Sequence, residues 1–138
     1  MRFLLDTNVL LHVVNKAKGY ELIEQRLVTA PAHSLVVSVI TVWEIFRMVE
    51  KAKVPSKASK AAIAFLDEFR VIPMTKPGAA LGGQIHAGLA KLGKTIGERD
   101  SMIAGIALMN DYTLVTDNVG EMQRVVGLRV ENWRATAF

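Results

Sequence analysis

Apolar residues fall along this chain in short bursts, separated by longer stretches in which they recur at helical spacing. Arg2 to Leu5 is a brief apolar run of the kind that forms a buried strand, and from Asn8 to Asn15 the positions Val9, Leu10, Val13 and Val14 line one side of a helix. Tyr20 to Val28 predicts a second helix, with Leu22, Ile23 and Leu27 on one face and charges opposite. Leu35-Val36-Val37 predicts a second strand and Ile40 to Lys53 a third helix. Ser56 reads as the cap of a further helix running to Phe69, with Ile63, Leu66 and Phe69 apolar along it. Val71-Ile72 is a third short strand. Thr75 and Pro77 open a helix that runs to Leu92, where Gly93 closes it, and Arg99 to Asn110 is the next helix. Tyr112 to Thr116 predicts a fourth strand, followed by a short helix near Val119 to Val125 and an edge strand at Leu128 to Val130. Short apolar strands alternating with helices predict an α/β fold, a parallel sheet covered on both faces.

No repeat, low-complexity tract or Gly/Ser linker divides the 138 residues, and the four prolines stand at element junctions, so one domain spanning residues 1–138 is expected. At 51% apolar and 22% charged the composition is that of a globular protein, which at this size buries roughly 68% of its unfolded surface. Disorder is excluded. No apolar run approaches the roughly 18 residues of a membrane span, and Asp6 interrupts the stretch where an export signal would continue. The absence of cysteine excludes disulfides, thiolate metal sites and a cysteine nucleophile, and suits the cytoplasm.

Chemistry is concentrated in four acids. Asp6 directly follows the first strand and Asp117 the strand Leu114-Val115-Thr116, so both stand at carboxyl ends of strands, the edge where open parallel sheets bind ligands. Glu44 aligns with Ile40 and Met48 on a helical stripe, and Asp100 with Ile103, Ala104 and Ala107. Each has an ordinary reading: Asp6 and Asp117 as turn formers or helix caps, Asp100 as a helix-dipole partner, Glu44 as the ion-pair partner of Arg47. Together they point to a site. Two carboxylates about 4 Å apart repel by roughly 4 kcal/mol at an effective dielectric of 20, so such a cluster calls for a cation or for protons. With all-oxygen donors and no paired histidines, magnesium or manganese is favoured over zinc. Removing the four acids leaves 9 acids against 17 bases, a remainder of +8. An acidic hole in a basic surface suits a nuclease, which attracts phosphates at long range and holds metal at the scissile bond.

The blocks Leu4-Leu5-Asp6-Thr7-Asn8-Val9-Leu10, Ser38-Val39-Ile40-Thr41-Val42-Trp43-Glu44, Ile96-Gly97-Glu98-Arg99-Asp100-Ser101-Met102-Ile103-Ala104 and Leu114-Val115-Thr116-Asp117-Asn118, in this order, resemble the PIN-domain ribonucleases, and among them the VapC-type toxins of toxin-antitoxin pairs. Val125-Val126-Gly127-Leu128 and Glu131-Asn132-Trp133 continue the pattern, so the resemblance covers essentially the whole chain. It implies a three-layer α/β/α sandwich and a magnesium- or manganese-dependent endoribonuclease. It further implies a homodimer and a cognate antitoxin whose tail blocks the acidic pocket. Residue by residue, Asp6 and Asp100 match the principal metal-binding acids, Glu44 the third acid, and Thr7 and Thr116 hydroxyl positions near the site. The last acid departs from the pattern, since many relatives carry asparagines after Thr116 or place the acid one position later. Asp117, counted with Asp6, Glu44 and Asp100 among the expected catalytic acids, is therefore open as a metal ligand, a supporting group or a bystander. Met122 stands where relatives usually have phenylalanine.

Other features carry less. His12, His33 and His86 share no metal-binding spacing and read as structural or surface residues, and Gly78 to Gly83 lacks the features of a phosphate loop. Trp133 reads as a packing plug. Arg99 and Lys94, close before Asp100, are better phosphate candidates than Lys51, Lys53, Lys57 and Lys60, which read as solvated helix faces. Two alternatives compete with the nuclease reading. A receiver-like signalling domain also has an acidic metal pocket, but it would show paired acids after the first strand and a lysine after a late strand. A catalytically silent RNA- or partner-binding module would not need all four acids.

Overall fold

A computed structural model describes residues 1–134; the rest of the single domain read from the sequence, residues 135–138, lies outside the described residues. Five strands, β1 (Phe3–Leu5), β2 (Leu35–Ser38), β3 (Arg70–Ile72), β4 (Thr113–Val115) and β5 (Val130–Glu131), form one parallel sheet in the order β3-β2-β1-β4-β5. The helices are α1 (Thr7–Val14), α2 (Tyr20–Thr29), α3 (Val39–Val49), α4 (Pro55–Leu66), α5 (Lys76–Lys91), α6 (Glu98–Met109) and α7 (Val119–Met122).

Strand side chains alternate between the two faces, and this period of two divides the core. Leu4, Val36 and Leu114 pack with Leu89, Ile103, Ile106 and Met122 of α5, α6 and α7. Leu5, Val37 and Val115 point the other way, into Val9, Leu10, Ile23, Ile45, Val49 and Leu66 of α1 to α4. Both faces of the sheet are thus covered at its centre, which is why β1, β2 and β4 read as largely apolar runs. Met122 is fully buried, and Trp133 plugs the second core edge-on to Phe3 at 5.1 Å, as its sequence setting suggests. Among the described residues no helix is long and apolar enough to cross a membrane.

Two features position the elements that matter for function. The sheet grows outward from β1 in both directions, so the chain switches direction between β1 and β4, and a crevice opens at their carboxyl ends. This order also separates the fold from the receiver-like alternative, whose strands run 2-1-3-4-5. The second feature is the contact of α6 with α5. A Cβ placed on Gly105 would lie 2.5 Å from the Gly78 carbonyl oxygen and 2.8 Å from the Gly82 nitrogen. Only glycine permits this approach, and it fixes the helix that carries Asp100. Of the α5 glycines, Gly78 and Gly82 therefore serve helix packing, whereas Gly83 and Gly88 face open space.

Several boundaries differ from the periodicity. Ser56 does not cap α4, because Pro55 occupies the first helical position, where its missing N–H costs nothing, and Val54 precedes it. The third helix ends at Val49 rather than Lys53, and the edge strand is Val130–Glu131 rather than Leu128 to Val130. Thr75 caps α5 by accepting from Gly78 N–H at 3.2 Å. Gly93, at φ +70°, closes it with Gly93 N–H to Ala90 and Lys94 N–H to Leu89, the paired bonds of a Schellman turn.

Candidate active site

The carboxyl ends of β1 and β4 meet at the crevice. Leu5 pairs with Val115, so the next residues, Asp6 and Thr116, stand opposite one another. Asp6 is buried, 4% exposed, and its two oxygens have separate duties. Oδ1 accepts from Thr7 N–H at 2.8 Å and caps α1. Oδ2 accepts from Thr116 Oγ1 at 2.8 Å and Asn8 Nδ2 at 3.3 Å. One oxygen of Asp6 thus caps the helix, while the other faces Thr116 and Asn8 in the crevice.

Glu44 enters from α3. Its Oε1 lies 2.8 Å from Thr7 Oγ1, which is itself 2.9 Å from Thr41 Oγ1. Thr7 has one proton to give; it donates to the carboxylate, and Thr41 closes the second contact with its own. Glu44 Oε2 pairs with Arg99 Nε at 3.3 Å, an ion pair between α3 and α6 rather than the pair with Arg47 that sequence proximity suggested. The buried face of α3 is Thr41, Ile45 and Val49. Met48 is exposed, so Glu44 sits at the border of the apolar stripe, 18% exposed.

Asp100 lies in the first turn of α6, where Gly97 precedes the helix. Asn118 Nδ2 is 3.4 Å from Asp100 Oδ2 and donates to Glu121 Oε2 at 2.9 Å, which brings a carboxylate from α7 beside the cluster. Glu44, Gly97, Glu98, Arg99 and Asp100 line a cleft of about 360 Å³.

The acids sense one another through low-dielectric surroundings. Burial pushes the Asp6 carboxyl up from 3.8 to about 6; the Thr116 and Thr7 hydrogen bonds oppose the rise, and the charges of Asp100 and Glu44 add to it. Asp100 is also raised, first by burial and then by Glu121 and Glu44, against the lowering influence of Arg99 and Asn118. Asp117 is absent from both sets of influences. One residue beyond Thr116, it turns to the other side. Its Oδ2 contacts His12 Nε2 and accepts from Arg134 Nη1 at 3.0 Å, while its backbone N–H donates to Asn8 Oδ1 at 3.2 Å.

Of the four expected acids, Asp6, Glu44 and Asp100 stand within electrostatic reach of one another, with Glu121 beside Asp100, while Asp117 turns toward His12 and Arg134. His12, read as structural or surface, serves to hold Asp117. Glu121 lies three residues after Asn118 on a short helix, an i, i+3 spacing that marks it as an Asn118 partner. Among the described residues no three acidic or imidazole groups stand close enough to ligate one ion as they are. The donors nonetheless fit a hard divalent cation: all are oxygens, several are held by hydroxyl or amide donors, and two have carboxyls raised by burial and, further, by neighbouring carboxylates.

Residues 3–127 match the family model described as PIN domain. The chain is 35% identical over 133 residues to the ribonuclease VapC2 of Haemophilus influenzae, covering 96% of this chain and 98% of that protein. It is 32% identical, with the same coverage, to the tRNA(fMet)-specific endonuclease VapC of Shigella flexneri. Among solved structures it is similar to VapBC2 of Rickettsia felis bound to a promoter DNA fragment, with a TM-score of 0.83 and 28% identity over 96% of this chain and 99% of that one. VapBC-1 of nontypeable Haemophilus influenzae superposes with a TM-score of 0.88 at 26% identity, covering 98% of this chain and all of that one.

Proposed function

Because the chain belongs to the PIN-domain family, we propose that it is a metal-dependent endoribonuclease that hydrolyses RNA phosphodiester bonds as the toxin of a toxin-antitoxin pair. The observation that carries this reading is the convergence of Asp6, Glu44 and Asp100, with Glu121 beside them, at the switch point of the sheet in a chain of net charge +4. Asp6 and Asp100 would hold the cation, Glu44 and Glu121 completing the acidic wall. Magnesium or manganese bound there supplies Lewis acidity toward the phosphoryl group and a means of generating a nucleophile at neutral pH.

The chain's own residues prepare the site. Thr116 and Thr7 fix the orientations of Asp6 and Glu44. Arg99 offsets the Glu44 charge, and Asn118 holds Glu121 near Asp100. The basic remainder of the surface draws a polyanion toward the cleft, where the acids alone would repel it. The whole chain acts as one PIN unit, in a homodimer and with a cognate antitoxin whose tail covers the acidic cleft. The toxin-antitoxin complexes among its structural neighbours support the antitoxin.

The test is cleavage of total RNA by purified protein in magnesium, in manganese and in excess chelator, with thermal melts in parallel. Cleavage in both metals, loss in chelator and a metal-dependent rise in melting temperature are expected. Equal cleavage in chelator overturns the mechanism. No cleavage in any condition, with the metal-dependent melt retained, leaves the silent binding module as the better reading.

A further inference from the structure

Trp43 is 54% exposed, a large apolar side chain in water one residue before Glu44 on α3. Two guanidinium groups stand against its ring, Arg47 from the next turn of α3 and Arg99 from α6, each 5.4 Å from the ring centroid. Arg99 is the residue that pairs with Glu44 and lines the cleft beside Asp100, so the indole sits on the rim of the acidic site. We propose that Trp43, Arg47 and Arg99 form a stacking shelf that seats an unpaired nucleobase of the RNA substrate beside the cleft and so sets which nucleotide is presented for cleavage.

The chemistry of the three side chains selects this occupant. Unpaired bases stack on aromatic rings and on guanidinium planes, and here both kinds of plane adjoin. The backbone around the base needs positive charge, and the cleft offers Glu44, Glu98 and Asp100 instead. The arginines at the ring are the cations that offset that repulsion where a strand enters. An aliphatic protein segment would pack on the indole but leave both guanidinium planes without a stacking partner. The cation–π contacts also hold the indole in place before substrate arrives, which reduces the ordering cost of binding. Arg99 would trade its contact with Glu44 for a phosphate, a change that frees Glu44 as the strand is seated.

This inference rests on the ribonuclease reading, and the experiment separates the two. Steady-state cleavage of a short single-stranded RNA oligonucleotide is measured for the wild type and for Trp43→Ala, Trp43→Leu and Trp43→Phe, with thermal melts. Loss of one stacked base is expected to raise KM by about 10- to 100-fold in the Ala and Leu variants, with kcat changed much less and the melt unchanged. Leu keeps apolar bulk without a π face, so a packing role would spare it, and Phe should restore most of the affinity. The uncleaving Asp100→Asn variant is titrated with the same oligonucleotide while tryptophan emission is followed. The other tryptophan, Trp133, is 2% exposed, so quenching reports Trp43. An unchanged KM in Trp43→Ala, or quenching by inorganic polyphosphate equal to that by RNA, overturns the shelf and assigns the ring to a protein partner or to charge alone. Absence of cleavage by the wild type overturns the ribonuclease reading instead, and the quenching titration then still decides the shelf.

Discussion

The ends of β1 and β4 look alike in sequence and differ in structure. Leu4-Leu5-Asp6-Thr7-Asn8 and Val115-Thr116-Asp117-Asn118 each carry an apolar strand into a corner of one aspartate, one threonine and one asparagine. Asp6 is 4% exposed, its carboxyl raised to about 6 chiefly by burial, whereas Asp117 is 20% exposed and turned onto His12 and Arg134. Register accounts for the difference. Leu5 pairs with Val115, so Thr116 is the residue opposite Asp6, and Asp117 lies one step further along a backbone whose side chains alternate. A shift of one residue exchanges a member of the acidic cluster for an ion-pair partner on the periphery. The two corners are also wired together, because Asn8 donates to Asp6 with its amide nitrogen and accepts from Asp117 N–H with its amide oxygen.

The largest consequence should appear on neutralising the buried member. Asp6→Asn keeps the volume and the hydrogen bond to Thr7 N–H but removes the charge at the centre of the cluster. RNA cleavage should fall by on the order of 1,000-fold or more. The metal-free protein should melt no lower than the wild type, because a desolvated, repelled charge has gone. A variant that retains activity would remove Asp6 from the metal site and with it the contrast between the corners.

Acid titration sharpens the contrast without mutation. An Asp6 carboxyl at about 6 in the folded protein, against 3.8 unfolded, means that the native state binds the extra proton. Stability in chelator should therefore be lowest above pH 6 and rise as the pH falls from about 6 to about 4, by on the order of 3 kcal/mol from this group. Denaturant melts of the wild type and Asp6→Asn across that range isolate the contribution, since the variant should lack this rise. Magnesium should flatten the wild-type profile by stabilising the charged form. Parallel profiles for the two proteins in chelator would contradict the burial of a repelled carboxylate at this corner.

How much of this the chain announces depends on whether an interaction is local. The strands and most helices follow from periodicity because each is a repeat of apolar positions within a few residues, and Asp6, Glu44 and Asp100 follow from strand ends and helical stripes. What periodicity cannot supply is the register between strands distant in sequence. From strand ends alone Asp117 looks as good a candidate as Asp6, and only the family resemblance, which left Asp117 open, told the two apart; that Thr116 stands opposite Asp6 is visible only with Leu5 paired to Val115. Glu121 is hidden for a related reason: its approach to Asp100 runs through Asn118 and the packing of a four-residue helix. The Glu44–Arg99 pair spans two helices that only the folded sheet brings together. Ser56 misled through a purely local competition, which Pro55 wins by being pre-set for the first helical turn.

Glu121 supplies the next test. If it replaces Asp117 as the fourth acid, Glu121→Gln should cost about 10- to 100-fold in cleavage, the range for losing a group that supports a metal ligand. Asn118 can still donate to the glutamine carbonyl, so the shape of the corner is kept while its charge is lost. The variant should also require more magnesium for half-maximal activity. Activity equal to wild type across a magnesium titration would mean that three acids suffice and that Glu121 only caps the Asn118 amide.

The smallest effect should come from Asp117→Asn. An asparagine oxygen still accepts from Arg134 Nη1, and what is lost is the charge of a contact 20% exposed on the aspartate side and 30% on the arginine side. With the hydrogen bond to Arg134 kept and both groups still reached by water, the loss should be on the order of 1 kcal/mol, so the melt should move little. Cleavage should stay within about threefold of wild type, because the charge acting on Asp6 and Asp100 does not change. His12→Ala probes the same corner from the other side by removing one of the two groups that hold Asp117 away from the crevice, and it too should leave cleavage near wild type. The comparison breaks if Asp117→Asn loses activity on the scale of Asp6→Asn. Asp117 would then have to swing from His12 and Arg134 toward the crevice when the cation binds, and His12→Ala, by freeing it, should then lower the magnesium concentration needed for activity. Measuring both variants across one magnesium titration therefore decides whether the two corners differ in the working enzyme as they do in the folded chain.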